Sequence, residues 1–196
     1  MISRIFLASK NSGKISEANE ILQQFNIVAE GAGEEILFPE EIGSTFQENA
    51  EAKARYFSHF VSGVLIGEDS GLVVPALNGA PGVQSARFAG IDATDSQNIE
   101  KLLYYMADKK AGQRRAYFIS VAALLGRNGS VSFFEGRMYG EISLSQRGEY
   151  GFGYDPVFEI PLLGKTVAEL TSSEKNRISH RGQVFEKIGR YLTMAV

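Results

Sequence analysis

Residues 116–125, an uncharged apolar run, and residues 131–144 flank the four-residue turn Arg127-Asn128-Gly129-Ser130. They are too short to cross a membrane as helices and are rich in β-branched, aromatic and small residues. That pattern predicts a long antiparallel strand pair. Upstream, strand and helix signals alternate. Residues 5–8 read as a buried strand, and Ile15, Ala18, Ile21, Leu22 and Phe25 then recur at helical spacing. Early strands separated by helices, followed by a hairpin, predict an α/β fold: a mixed β-sheet flanked by helices. The chain has 196 residues and no break in composition, so residues 1–196 are expected to form one domain.

The remaining elements follow from local signals. Residues 27–29 suggest a short strand. Thr45-Phe46-Gln47-Glu48 has the form of a capping box, so a helix is expected from there to about Phe60. Residues 64–67 read as a second buried strand that ends in the turn-like Glu68-Asp69-Ser70-Gly71. Asn78-Gly79-Ala80-Pro81-Gly82 must be loop. Asp95 is placed to cap a helix running through Met106. Residues 148–156 form another loop, and the remainder reads as mainly helical, with N-caps offered by residues 171–173.

Charge and composition exclude several classes. The formal net charge is −3, so nothing draws the whole molecule to nucleic acid or to anionic lipid, and any positive charge that binds phosphate must be local. There is no cysteine, which removes disulfides and thiolate metal sites. No signal-peptide pattern or membrane span is visible, so the expected address is the cytoplasm.

Six segments could carry chemistry. Ser9-Lys10-Asn11-Ser12-Gly13-Lys14 joins a strand to a helix, where unpaired N–H groups and partial positive charge favour anions. It is not a P-loop, because Ala8 and Ile15 stand where that motif needs Gly and a hydroxyl. It would serve equally as an ordinary capped helix start. Glu34, Glu35, Glu40, Glu41 and the pair Glu68-Asp69 are candidate ligands for Mg²⁺, which takes one or two carboxylates plus water and phosphate. They could also be a solvated charge run and a turn. Lys53 falls on the apolar face marked by Phe46, Ala50, Phe57 and Phe60. It either snorkels outward or, with Asn49, points toward phosphate or Asp69. Phe152 and Tyr154 lie between glycines, suiting either base stacking or a core hairpin. Residues 173–182 are dense in donors and include His180, whereas His59 reads as surface.

In order and spacing these pieces resemble the inosine triphosphate pyrophosphatase family, the XTP/dITP diphosphatases. The matching residues are Ala8-Ser9-Lys10-Asn11-Ser12-Gly13-Lys14 with Glu17, Glu41-Ile42-Gly43-Ser44-Thr45-Phe46-Gln47-Glu48-Asn49-Ala50 with Lys53-Ala54, and Asp69-Ser70-Gly71-Leu72. Further on come Gly79-Ala80-Pro81-Gly82, Ser85-Ala86-Arg87, residues 151–156, Ala168-Glu169-Leu170 and Ser179-His180-Arg181-Gly182. Glu68 and Pro75 stand where the family commonly has aspartates.

The resemblance implies an elongated mixed sheet in two lobes with a central cleft, and a homodimer. It implies Mg²⁺-dependent hydrolysis of non-standard purine nucleoside triphosphates (ITP, dITP, XTP) to the monophosphate and pyrophosphate. Position by position, Asp69 would be general base and metal ligand, and Glu41 the second metal carboxylate. Ser9, Lys10, Asn11, Ser12, Gly13 and Lys14, with Ser70 and Lys175, would hold triphosphate and sugar. Phe152, Gly153, Tyr154, Asp155, His180 and Arg181 would form the base pocket.

Overall fold

The computed structural model describes residues 2–38, 41–126 and 128–194. Seven strands form one open sheet in the order β2-β1-β3-β4-β5-β6-β7. Their ranges are β1 Arg4–Leu7, β2 Val28–Gly31, β3 Leu65–Val73, β4 Arg115–Leu125, β5 Val131–Ile142, β6 Phe158–Ile160 and β7 Lys165–Thr166. β1 runs parallel to β2 and β3, while β6 is antiparallel to β5 and β7, so the sheet is mixed as expected. The helices are α1 Ser12–Leu22, α2 Phe46–Phe57, α3 Asp95–Met106, α4 Ser172–Ile178 and α5 His180–Met194. Among the described residues no helix is long and apolar enough to cross a membrane.

The chain divides into two compact units. The first comprises Met1–Asp69, Ser120–Gly136 and Ser179–Val196. Its core gathers Ile5 and Leu7 of β1, Ala18, Ile21 and Leu22 of α1, Ile66 of β3, and Val184, Phe185 and Ile188 of α5. The second comprises Ser70–Ile119 and Arg137–Ile178, with a core around Leu72, Leu102, Met106, Phe118, Ile142 and Phe158.

The helices begin where side chains satisfy free backbone N–H groups. Asn11 caps α1 by accepting from the Lys14 backbone N (3.0 Å). Thr45 and Glu48 close a reciprocal capping box at α2. At α3 the cap is Thr94, paired with Gln97, and Asp95 is the first helical residue. Thr94 wins because its hydroxyl, one residue earlier, reaches the Gln97 N–H while Gln97 reaches back.

Several expectations shift. α2 ends at Phe57, leaving Phe60 half exposed beyond it. Residues 158–160 and 165–166 are strands rather than helix; a few residues are too short to show a period. The largest change is β3. It continues through Glu68 and Asp69 to Val73, so both acids lie in mid-strand, not at a terminal turn. Charges are tolerated there because each carboxylate has partners. The turn residue Arg127 lies outside the described residues, as does Glu40 of the acidic run.

Gly67 explains how α2 lies on β3. A Cβ at Gly67 would collide with the Ala50 carbonyl oxygen and the Ala54 backbone nitrogen. Helix main chain therefore rests directly on strand main chain. Asn49 and Lys53, one turn apart on that inner face, are carried to the next strand position but one, Asp69.

Candidate active site

Successive strand residues face opposite sides of a sheet, and the partners of Glu68 and Asp69 differ accordingly. Asp69, 4% exposed, faces α2. Lys53 Nζ donates to Asp69 Oδ1 (2.9 Å), and Asn49 Nδ2 donates to Asp69 Oδ2 (3.1 Å). The same ammonium meets Glu41 Oε1 (2.5 Å) and the Glu68 carbonyl oxygen (3.2 Å). Asn49 is itself fixed, because its Oδ1 accepts from the Gly43 N–H (2.9 Å). Lys53 thus turns inward, and two carboxylates from distant segments converge on one cation.

Burial pushes the Asp69 carboxyl up; Lys53 opposes this and Glu41 adds to it, leaving the group above its ordinary value of 3.8. Burial pulls the Lys53 amine down, but Asp69 and Glu41 outweigh that and keep it charged.

Glu68, 1% exposed, has a richer set of partners. Lys14 Nζ donates to its Oε2 (2.6 Å), while Ser120 Oγ (2.8 Å) and Arg181 Nε (3.3 Å) donate to Oε1. Arg181 Nη1 also donates to Glu17 Oε2. Burial pushes Glu68 up, yet Lys14 and Arg181 together hold it well below the ordinary 4.5.

The remaining loop residues sit at the start of α1. Ser9 Oγ accepts from the Asn11 N–H (3.1 Å), and Lys10 Nζ reaches the Glu34 carbonyl oxygen (2.6 Å). Ser12 and Gly13 open the helix, with Ser12 exposed. His180 and Arg181 begin α5 and are both buried. Arg181, expected as a donor to a base, directs Nε and Nη1 to carboxylates. His59 is exposed, as expected of a surface residue.

In the second unit Lys175 Nζ donates to Asp155 Oδ2 (2.6 Å) and lies 4.8 Å from the centre of the Phe152 ring. Asp155 Oδ2 also accepts from the Phe152 N–H (3.0 Å). Gly151 makes this turn possible: its φ is +81°, and a Cβ there would strike the Asp155 carboxylate. The Gly153 N–H donates to Asp95 Oδ2 (2.7 Å). Tyr154 belongs to the core and donates its hydroxyl to the Ser85 carbonyl (2.8 Å), so of the two aromatics only Phe152 is partly exposed. Ser70, the residue after Asp69 on β3, is partly exposed. A groove of about 560 Å³ beside α3, lined by Gly90, Asp92, Lys101 and Tyr105, contains none of these residues.

No role for Ser120 or Glu17 is legible in the sequence, whereas the expected approach of Asn49 to Asp69 is found. Asn49 was discernible one turn before Lys53. The Arg181–Glu17 pair, 164 positions apart, had no local signal.

The fold and site define an α/β protein with a mixed sheet in which the interior strand β3 carries two buried, cation-paired carboxylates. This chain belongs to the Ham1 family, whose model matches residues 5–191. It is 44% identical over 192 residues to the dITP/XTP pyrophosphatase of Exiguobacterium sibiricum, spanning 97% of each chain. It is 47% identical over 189 residues to that of Mannheimia succiniciproducens, spanning 93% of this chain and 94% of the relative. Among solved structures, a HAM1 protein from Coxiella burnetii superposes with a TM-score of 0.88 at 42% identity, covering 99% of this chain and all of that one.

Proposed function

We propose that this protein hydrolyses non-standard purine nucleoside triphosphates, ITP, dITP and XTP, to the monophosphate and pyrophosphate, clearing them from the nucleotide pool. The observation that carries the mechanism is Asp69: a buried carboxylate oriented by Asn49 and raised above its ordinary pKa. Relatives aligned over nearly the whole chain and named dITP/XTP pyrophosphatases support the substrate class.

Glu41 and Asp69 suit Mg²⁺ by the chemistry of their donors: two hard carboxylates meeting at one cationic position, with the Glu68 carbonyl beside it. Mg²⁺ takes one or two protein carboxylates and completes its shell with substrate phosphates and water. Bound there, Mg²⁺ would supply polarisation of the phosphate oxygens.

The chain's own residues do the rest. Asp69 accepts the proton of the attacking water, its orientation kept by Asn49. The free N–H groups that open α1, with Ser9, Asn11 and Lys14, attract the triphosphate. Lys14 and Lys53 offset growing negative charge. In the second unit the exposed part of the Phe152 ring offers a stacking face for a purine, with Lys175 against it. A cytoplasmic address and a homodimer complete the reading.

The test is a panel of purine and pyrimidine triphosphates with Mg²⁺, scored for monophosphate plus pyrophosphate against diphosphate plus phosphate. Pyrophosphate release with specificity constants for ITP, dITP and XTP well above those for ATP and GTP is expected. Equal constants across the purines, or diphosphate as product, would overturn the assignment.

A further inference from the structure

Lys53 has three ammonium hydrogens, and the structure gives each an oxygen: Glu41 Oε1, Asp69 Oδ1 and the Glu68 carbonyl. The two carboxylates that suit a divalent ion are therefore already neutralised in part by a residue of the same chain. Two cations cannot share those oxygens cheaply in a buried setting, where charge–charge energies greatly exceed those in water. Lys53 differs from the two cations paired with Glu68 in how open its partner is. Lys14 and Arg181 are tied to Glu68, which is sealed. The Lys53 head, in contrast, pairs with Glu41, whose side chain is 29% exposed.

We infer that Lys53 is a resident counter-ion for Glu41 and Asp69, one that a divalent metal must displace. The inference rests on the metal reading above. The protein would then bind metal weakly alone and strongly with nucleotide, because incoming phosphates give the released ammonium a new partner. Occupancy by Lys53 also keeps two close carboxylates from repelling each other before substrate arrives, and so preserves the shape of the site.

The test is Mn²⁺ titration without nucleotide, following free Mn²⁺ by electron paramagnetic resonance. The proteins are wild type, Lys53→Met and Lys53→Met/Asp69→Asn. Lys53→Met is expected to bind Mn²⁺ at least tenfold more tightly than wild type, and the added Asp69→Asn should abolish the gain. If Lys53→Met binds no more tightly while the double variant binds more weakly than either, the ion uses Asp69 but does not compete with Lys53, and only this inference fails. If the double variant matches Lys53→Met, the ion is not at Asp69 and the metal reading fails with it.

A measurement on the wild type avoids any folding defect of the variants. The Lys53 Nζ signal, assigned by nitrogen-15 NMR, should be protected from exchange without metal. It should shift when Mg²⁺ and a non-hydrolysable ITP analogue are added together. A signal unmoved by that addition would overturn the inference.

Discussion

On one side of β3, Glu68 meets two cations and a hydroxyl; on the other, Asp69 shares a single ammonium with a second carboxylate. Both are buried and adjacent in sequence, yet their affinities for protons move in opposite directions. The difference lies in the ratio of positive to negative groups around each. Surplus cations make Glu68 a permanent anion that ties α1 and α5 to the sheet. A deficit leaves the Asp69 carboxyl above its ordinary value. A strand's two faces thus let neighbouring residues, one a strut and the other the proposed base, do separate work.

Asp69→Asn should give the largest effect, lowering kcat on ITP by about 10²- to 10⁴-fold, the usual worth of a general base. Its urea midpoint should stay at or above that of wild type, since the charge removed is one that burial disfavours. Loss of fold together with activity would erase the distinction between the two sites. Glu68→Gln should do the reverse, costing about 3–5 kcal/mol by urea unfolding, as breaking a buried ion pair does. An unchanged midpoint would show that Glu17 alone holds Arg181.

Acid sharpens the same contrast. Because the folded-state pKa of Glu68 is depressed, its stabilisation is complete above the unfolded value and is lost as pH falls through the folded one. The stability gap between wild type and Glu68→Gln should therefore be constant near neutrality and close below about pH 4.5; a gap constant into strong acid would refute the depressed value. The smallest effect is expected for Thr45→Ala, which removes the cap of the helix bearing Asn49 and Lys53. It should cost about 1 kcal/mol and leave kcat nearly unchanged, measured by unfolding and turnover.

What could be read from the chain follows the range of the interactions involved. The α2 capping box spans four residues and was visible as such. Lys53 was conspicuous because it interrupts an apolar face, and it does turn inward. The course of β3 was misread because a strand's tolerance for Glu68 and Asp69 depends on Lys14, Lys53 and Arg181, whose positions only the assembled sheet defines. Likewise Arg181 looked like an open donor, since nothing local announces Glu17 as its partner.

At Gly67 the main chains of α2 and β3 touch with no side chain between them. The gap that sets the reach from Asn49 and Lys53 to Asp69 is thus fixed by backbone atoms, which every sequence shares. Side chains elsewhere on α2 and β3 do not set that gap. Position 67 itself is the exception: any side chain there would pry the helix away and take the site apart.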